Sequence, residues 1–337
     1  MTDLDQFSIL PRAISDANGI PENGQKYAAL QIFESLYKEA FVSFLPDSKN
    51  ENTCTAVIIE GMFIINTSPL STHKTFDDYA GFLFQRWVTR SQFQFKASEI
   101  HIIFDHPNRH GISPKDIERS RRDQNCKKII PGTCTCISDK TDLPKTNWKK
   151  FLSDRVQKRN LVNFLSEKFL ELVQSKLHDK NCIVVTSGGF EGENKDKTFG
   201  SSPEKGIFEI SHLSANHEEG DTRVWFHASR STANRLIIYS PDTYTFFIGL
   251  PLIKKLTGKS IFVQLKYFSF DNEFIDMTVL TDSLTHNLLL QGIADVEKCM
   301  QSVYIMSGCD FVSFFRGYGK KSFLIVFERM QLLFPVT

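Results

Sequence analysis

The sequence predicts an α/β fold with a mostly parallel central sheet and helices on both of its faces. Short apolar segments rich in β-branched residues alternate with longer segments of helical period. The short segments are apolar throughout, as strands are when both faces of a parallel sheet are covered by helices. In such sheets, ligands bind beyond the carboxyl ends of the strands.

Taken in order, the first predicted element is an amphipathic helix, because apolar residues recur at intervals of three and four between Gln25 and Leu45. It belongs to an N-terminal extension, residues 1–50, that precedes a main domain, residues 51–323. The predicted strands span residues 55–60, 100–104, 181–186, 235–240 and 260–265, and the predicted helices lie near residues 75–91, 148–177, 218–231, 243–256 and 279–300. The segment 188–206, rich in Gly, Ser and Lys, is predicted as a long mobile loop.

The composition is that of a globular protein: 337 residues, 41% of them hydrophobic, with a net charge of +1. Apolar runs fall short of the roughly 18 residues that cross a bilayer, and residues 1–10 lack the features of a secretory signal. Seven cysteines, an odd number, favour an intracellular compartment with free thiols. We therefore expect an intracellular protein without a membrane partner.

Acidic residues follow the ends of several predicted strands or open the predicted helix near residue 218. They are Glu60, Asp105, Glu219, Asp221, Asp242 and Asp310. Each has an ordinary explanation as a helix cap or a helix-dipole partner. Parallel strands, however, bring their carboxyl ends to one edge, where converging carboxylates repel one another unless a cation neutralises them. Oxygen ligands select Mg²⁺ or Mn²⁺ over zinc, so we predict a site for one or two such ions, of the kind that hydrolyses phosphodiesters.

A basic segment directly follows Asp105. Residues 106–160 carry a net charge of +8, whereas the rest of the chain carries −7. A solvated helix face is the ordinary explanation of such a run, but beside a phosphodiester site it would bind nucleic acid through the phosphates. The residues best suited to this are Lys115, Arg119, Arg121 and Arg122.

A glycine-containing turn, RGYGKK at 316–321, is a second candidate for phosphate binding. Gly317 and Gly319 would let backbone amides approach a phosphate, and Arg316, Lys320 and Lys321 would supply positive charge. A turn between two helices explains the same residues equally well.

These motifs together resemble the PIN-like nucleases, in particular the flap-endonuclease branch. The resemblance rests on five segments in the family's order over residues 55–323: IIFD at 102–105, PNRHGISPKDIERSRRD at 107–123, EEGDTR at 218–223, YSPDTYTF at 239–246 and SGCDFVSFFRGYGKK at 307–321. It implies a PIN-like fold, a metal site formed by the six acids, and a structure-specific endo- or exonuclease acting on nucleic acid, with DNA favoured over RNA. It also implies that residues 324–337 are a truncated C-terminal helical segment. If the substrate is DNA, the resemblance further implies a nuclear protein.

The sequence departs from the family at two positions of the acid set. Glu60 stands where the family has Asp, and Tyr244 replaces the second acid of a paired motif. A phenol with a pKa of about 10 is a poor magnesium ligand. The alternative function is therefore a catalytically weakened domain that serves as a nucleic-acid-binding or protein-interaction scaffold. Motifs of nucleotide-binding or serine-hydrolase enzymes are absent from the sequence, which disfavours a metabolic enzyme.

Overall fold

A computed structural model of the chain gives an α/β architecture that divides into two compact units. The structure describes residues 28–46, 53–68, 73–106, 137–143, 148–217, 219–240, 242–265, 274–308 and 318–333. The α/β unit comprises Pro46–Pro241 and Gly258–Gln264, and the second unit comprises Met1–Leu45, Asp242–Thr257 and Leu265–Thr337. Residues of the predicted domain 51–323 belong to both of these units.

All five strands that the sequence predicted are present, with similar bounds, and the sheet contains further strands. They are β1 (Phe41–Val42), β2 (Thr55–Glu60), β3 (Ala97–Ile103), β4 (Ile183–Ser187), β5 (Thr198–Ser202), β6 (Gly206–Glu209), β7 (Arg235–Ser240), β8 (Ser260–Leu265) and β9 (Phe274–Asp276). In the α/β unit the strands are ordered β8-β7-β2-β3-β4-β5-β6. Strand β2 pairs in parallel with β3 and β7, and β3 pairs in parallel with β4. All six residues of β2 are buried, as expected of a central parallel strand.

The helices are shorter and more interrupted than the sequence predicted. They are α1 (Ala28–Leu36), α2 (Gly61–Thr67), α3 (Phe76–Leu83), α4 (Arg90–Phe95), α5 (Trp148–Ser153), α6 (Arg155–Lys176), α7 (Gly220–Arg230), α8 (Thr243–Gly249), α9 (Met277–His286), α10 (Val296–Met306) and α11 (Lys320–Leu333). A π-helical turn joins α3 to α4, and Asp154 caps α6 through its side chain and so separates α5 from α6. Beyond Gly249 the backbone continues as a 3-10 helix that contains Pro251.

Two predictions of local structure are wrong. The helix predicted over residues 25–45 ends, in the described part of the chain, at Leu36 and gives way to a 3-10 turn and β1, which pairs antiparallel with β9. The segment 188–206 is not one long mobile loop, because β5 and the start of β6 lie within it. Strand β5 pairs antiparallel with β4 and with β6, and so extends the parallel sheet. The composition of β5 is polar, but its residues Thr198, Ser201 and Ser202 are buried.

The second unit has an aromatic core of its own. Phe33 on α1 packs edge-on against Phe246 and Phe247 on α8, with ring centroids 5.4 Å and 5.7 Å apart. Phe247 stacks on Tyr304 of α10 at 3.8 Å. Ring pairs of this kind stabilise a core beyond the apolar area that they bury, and they account for several of the chain's 30 phenylalanines.

Candidate functional site

The carboxyl edge of the α/β sheet brings together acids from three separate segments. Glu60 is the last residue of β2, and it lies opposite Ile103, two residues before Asp105. The backbone N–H of Gly220, the first residue of α7, donates a hydrogen bond of 2.8 Å to Asp105 Oδ1. Asp221 follows in the first turn of the same helix. Glu60, Asp105 and the start of α7 therefore meet at one edge, as the strand-end pattern predicted.

Glycines allow this close approach of strand ends and helix. A Cβ atom at Gly220 would lie 3.0 Å from Asp105 Oδ1 and 3.8 Å from Glu60 Cγ. A Cβ at Gly61 would overlap the ring of Phe104, and one at Gly188 would overlap the carbonyl oxygen of Phe104. Gly188 also has a φ of +83°, a conformation that favours glycine. The packing around Phe104 and Asp105 thus leaves no room for a side chain at Gly61 or Gly188 and little room at Gly220.

Glu60 is the most strongly perturbed carboxyl group of this edge. It is 7% exposed, and its two oxygens accept hydrogen bonds from the N–H groups of Met62 (2.9 Å) and Phe63 (2.7 Å), which caps α2. Burial, followed by the negative charges of Asp105 and Asp221, raises the pKa of Glu60 to about 8. The three acids are therefore close enough for their negative charges to interact.

The acids in the described part of the chain do not by themselves complete a metal site. No three His, Cys, Asp or Glu side chains among these residues are grouped so that they could hold a metal ion. Backbone amides occupy both oxygens of Glu60 and one oxygen of Asp105. Glu219 is the residue before α7, and Asp310 lies outside the described residues. The fit of these residues to a divalent cation is thus partial: the charge is suitable, but the donor set is incomplete.

Asp242 and Tyr244 belong to the second unit. The Oδ1 atom of Asp242 accepts a hydrogen bond of 3.0 Å from the Tyr244 N–H, so that Asp242 caps α8. The ring of Tyr244 packs edge-on against Tyr304, with centroids 5.5 Å apart. The phenol of Tyr244 therefore contributes to the aromatic core of this unit.

Most of the predicted nucleic-acid contacts lie outside the described residues: Lys115, Arg119, Arg121, Arg122, Arg316 and Gly317. Gly319 and Lys321 are exposed. Lys320 corrects the prediction, because it is only 3% exposed. Its ammonium group donates to the carbonyl oxygens of Tyr304 (2.9 Å) and Gly308 (2.6 Å) and lies 3.5 Å from the centre of the Tyr304 ring. These contacts stabilise the C-terminal end of α10 and leave Lys320 buried rather than facing a phosphate.

Sequence reasoning missed a row of buried polar side chains between β3 and α7. Arg223 and His227 are four residues apart on α7, and both are fully buried. His227 Nδ1 lies 2.9 Å from His101 Nδ1, and His101 Nε2 lies 3.1 Å from Glu99 Oε2. The signal was available as two polar residues, Glu99 and His101, that alternate with Ile100 and Ile102 in β3.

A further histidine is buried beside Asp105. His106 is 2% exposed, and its Nε2 lies 2.8 Å from Asp196 Oδ1. Burial lowers the pKa of His106 against the opposing effect of its hydrogen bond to Asp196. The contact with Asp196 gives His106 a definite partner.

Comparison with known proteins adds no relative to this picture. No protein-family model matches the sequence, and no curated protein matches it. No helix in the described ranges is both long and apolar enough to cross a membrane. The chemistry of the strand-end site is therefore the guide to function.

Proposed function

We propose that this protein is a divalent-metal-dependent nuclease of the PIN-like, flap-endonuclease-like type, which hydrolyses phosphodiester bonds of nucleic acid at branches or ends. The observation that carries the proposal is the convergence of Glu60, Asp105 and the acid-bearing start of α7 at the carboxyl edge of a mostly parallel sheet. Ligand sites of parallel α/β sheets lie at this edge. The order of the five sequence segments supports the same family.

The acid set suits a hard cation that prefers oxygen ligands. Mg²⁺ or Mn²⁺, as one or two ions, would be held by Asp105, Asp221 and Glu60, with Glu219 as a further candidate. When bound, such an ion activates water and stabilises the leaving oxygen of a phosphodiester. The N-terminus of the 11-residue helix α7 adds a positive dipole end beside the acids. We place the protein inside the cell, and in the nucleus if its substrate is DNA.

The test is cleavage of defined substrates. The purified chain is incubated with flap, fork and single-stranded DNA, and with matched RNA, in Mg²⁺, in Mn²⁺ and in EDTA. We expect metal-dependent cleavage that Asp105→Ala and Asp221→Ala reduce to background, because each removes an oxygen ligand of the site. Asp282→Ala, an exposed acid on α9, is the matched control and should retain activity. Cleavage that persists in EDTA, or in both variants, would contradict the proposal.

A second function is favoured by a different observation. Both Glu60 oxygens cap α2, the described residues contain no three-acid metal group, and Tyr244 packs on Tyr304. These features suit a catalytically weakened domain that serves as a nucleic-acid-binding or protein-interaction scaffold. Binding of the same substrates without metal-dependent cleavage would favour this scaffold over the nuclease.

A further inference from the structure

Arg223 is fully buried and lies on α7, two residues after Asp221 at the carboxyl edge of the sheet. It lies one turn into α7, and its Nη1 donates to Ser187 Oγ at the end of β4 (2.9 Å). Its Nη2 donates to the carbonyl oxygens of Ala215 (2.9 Å) and His217 (2.8 Å), in the segment that leads into α7. One planar guanidinium group thus connects the helix, the strand end and the chain that joins them.

The hydrogen bonds continue from Arg223 through the hydroxyl groups of Ser187 and Thr198 to the carbonyl oxygen of Leu213. Thr198 Oγ1 donates to the carbonyl oxygen of Leu213 (2.9 Å), and the Ser187 and Thr198 hydroxyl oxygens lie 2.8 Å apart. Since Thr198 uses its proton on Leu213, Ser187 must donate to Thr198 and accept from Arg223. Every hydroxyl in this buried chain is satisfied, so the segment 213–217 is fixed to β4 and β5.

The charge of Arg223 has no close carboxylate partner in the described part of the chain. Its three acceptors are neutral oxygens, and burial, against the more distant attraction of Asp196 and Asp105, lowers the pKa of Arg223 to about 10. Burying a guanidinium group without a carboxylate partner lowers the stability of the folded state. Arg223 lies three residues after Gly220 and two after Asp221, and its planar set of N–H donors is suited to holding these residues in place.

We propose that Arg223 is a positioning residue of the carboxylate site: its fork holds the approach to α7 on the end of β4 and so sets the positions of Gly220 and Asp221 against Asp105 and Glu60. This inference rests on the proposed function for the role of the acids, but the positioning itself does not depend on it. The Gly220 N–H is the direct reporter, because an amide at the first position of a helix has no partner within the helix and here donates to Asp105.

The experiment compares Arg223→Met, Arg223→Lys and Arg235→Met with the wild-type chain. Arg235 is the matched control, because it is a partly buried arginine in the same unit that donates to the Pro46 carbonyl (2.7 Å) and lies 5.4 Å over the Phe262 ring, at the start of β7. Two quantities are measured on each folded variant: hydrogen exchange at the Gly220 amide, and Mn²⁺ affinity from the electron paramagnetic resonance signal of free Mn²⁺. Urea unfolding records overall stability separately.

We expect Arg223→Met to expose the Gly220 amide to exchange and to weaken Mn²⁺ binding about 10- to 100-fold, as loss of a residue that orients metal ligands does. Arg223→Lys should give intermediate values, because an ammonium group cannot reproduce the planar fork. Arg235→Met should lower stability and leave both quantities unchanged. If Arg223→Met keeps wild-type protection at Gly220, the positioning role is overturned.

Two further outcomes are distinguished. If the wild-type chain binds no Mn²⁺ and cleaves nothing, the proposed nuclease fails, while the exchange at Gly220 still decides the role of Arg223. If Arg223→Met does not fold, Ser187→Ala and Arg223→Lys decide it, since each removes part of the same hydrogen-bond set. Unchanged Gly220 exchange in both would overturn the inference.

Discussion

At the scale of single residues, small side chains decide the geometry of the strand-end site. Gly61 and Gly220 lie where a Cβ would meet Phe104 or Asp105, respectively. Gly61 follows Glu60 and begins α2, so the backbone there passes directly against the Phe104 ring. This packing brings the end of β2 and the residue before Asp105 into contact.

Gly61→Ala should destabilise the protein by about 1–3 kcal/mol, because the added methyl group overlaps a buried ring that must shift. The free energy of unfolding from urea titration measures this. Gly319→Ala is the control, since no atom lies within 4 Å of a Cβ at that position and its φ is not positive. Equal stability of Gly61→Ala and the wild type would mean that the packing around Phe104 is looser than described.

At the scale of elements, the interface between β3 and α7 carries a buried polar row. A carboxylate only accepts hydrogen bonds, so His101 Nε2 donates to Glu99 and, in a neutral ring, His101 Nδ1 accepts from His227 Nδ1. His227 Nε2 then has no hydrogen-bond partner among the described residues. Burial, followed by electrostatic repulsion from His101 and Arg223, lowers the pKa of His227 well below its usual value.

Glu99 at the other end of the row is the partly exposed member. Burial alone would raise the pKa of Glu99, but hydrogen bonds from His101, Ser231 and Thr232 outweigh it and lower the pKa to about 2. The row therefore requires an ionised carboxylate at one end and a neutral imidazole at the other. Both conditions fail in acid, although at different pH values.

His227 predicts how stability depends on pH. Its native pKa lies below the value of about 6.5 for an exposed imidazole, so the unfolded chain binds more protons below that pH. The contribution of His227 to the free energy of unfolding should therefore be full above about pH 6.5 and fall as the pH decreases, by at most about 1.4 kcal/mol per pH unit. The raised pKa of Glu60 acts in the opposite direction between about pH 4.5 and pH 8, and it is common to the wild type and the variants compared below. Loss of the Glu99 contribution follows only below its unfolded pKa of 4.5.

Urea titrations between pH 5 and pH 8 check this expectation with two variants. His227→Gln keeps a hydrogen-bond donor for His101 but does not titrate, so it should reduce the slope of the free energy of unfolding against pH. Part of the slope should remain, because the pKa of His106 is also lowered. His178→Gln, at an exposed position in the same unit, should keep the full slope. A wild-type slope in His227→Gln would remove His227 from the explanation.

The sequence predicted those parts of the fold that depend on local pattern. Strands β2, β7 and β8 have the predicted bounds because continuous β-branched runs are long enough to identify. Glu60 and Asp105 lie near each other because each follows or ends one of two paired parallel strands. Strand β5 was missed because its residues are stabilised by pairing with β4 and β6 rather than by their own composition. The burial of Lys320 likewise depends on a helix end 12 to 16 residues earlier in the chain.

At the scale of the whole molecule, charge is separated along the chain. The basic segment 106–160 is largely outside the described residues, and it follows β3 directly. Glu60, Asp105 and Asp221 lie at the carboxyl edge of the sheet that contains this strand. A net charge of +1 therefore conceals a basic and an acidic part, and the basic part can attract phosphates over a distance set by the ionic strength.

Arg119→Ala combined with Arg122→Ala should weaken nucleic-acid binding and flatten its salt dependence. If each arginine neutralises one phosphate of duplex DNA, the slope of log K against log salt should decrease by about 1.8. Fluorescence anisotropy of a labelled duplex over a range of salt concentrations measures the slope. Replacing the exposed Lys180 and Lys205 by alanine should leave it unchanged, whereas an unaltered slope in the arginine variant would refute the assignment.

The division into two units has a practical consequence through the aromatic residues. All three tryptophans of the chain, Trp87, Trp148 and Trp225, belong to the α/β unit. Trp225 is 2% exposed and lies two residues after Arg223, and Trp87 packs 5.0 Å from the Phe63 ring near Glu60. Intrinsic tryptophan emission is thus a built-in optical probe of this unit alone, and comparing it with far-ultraviolet circular dichroism tells whether the second unit melts with it or separately.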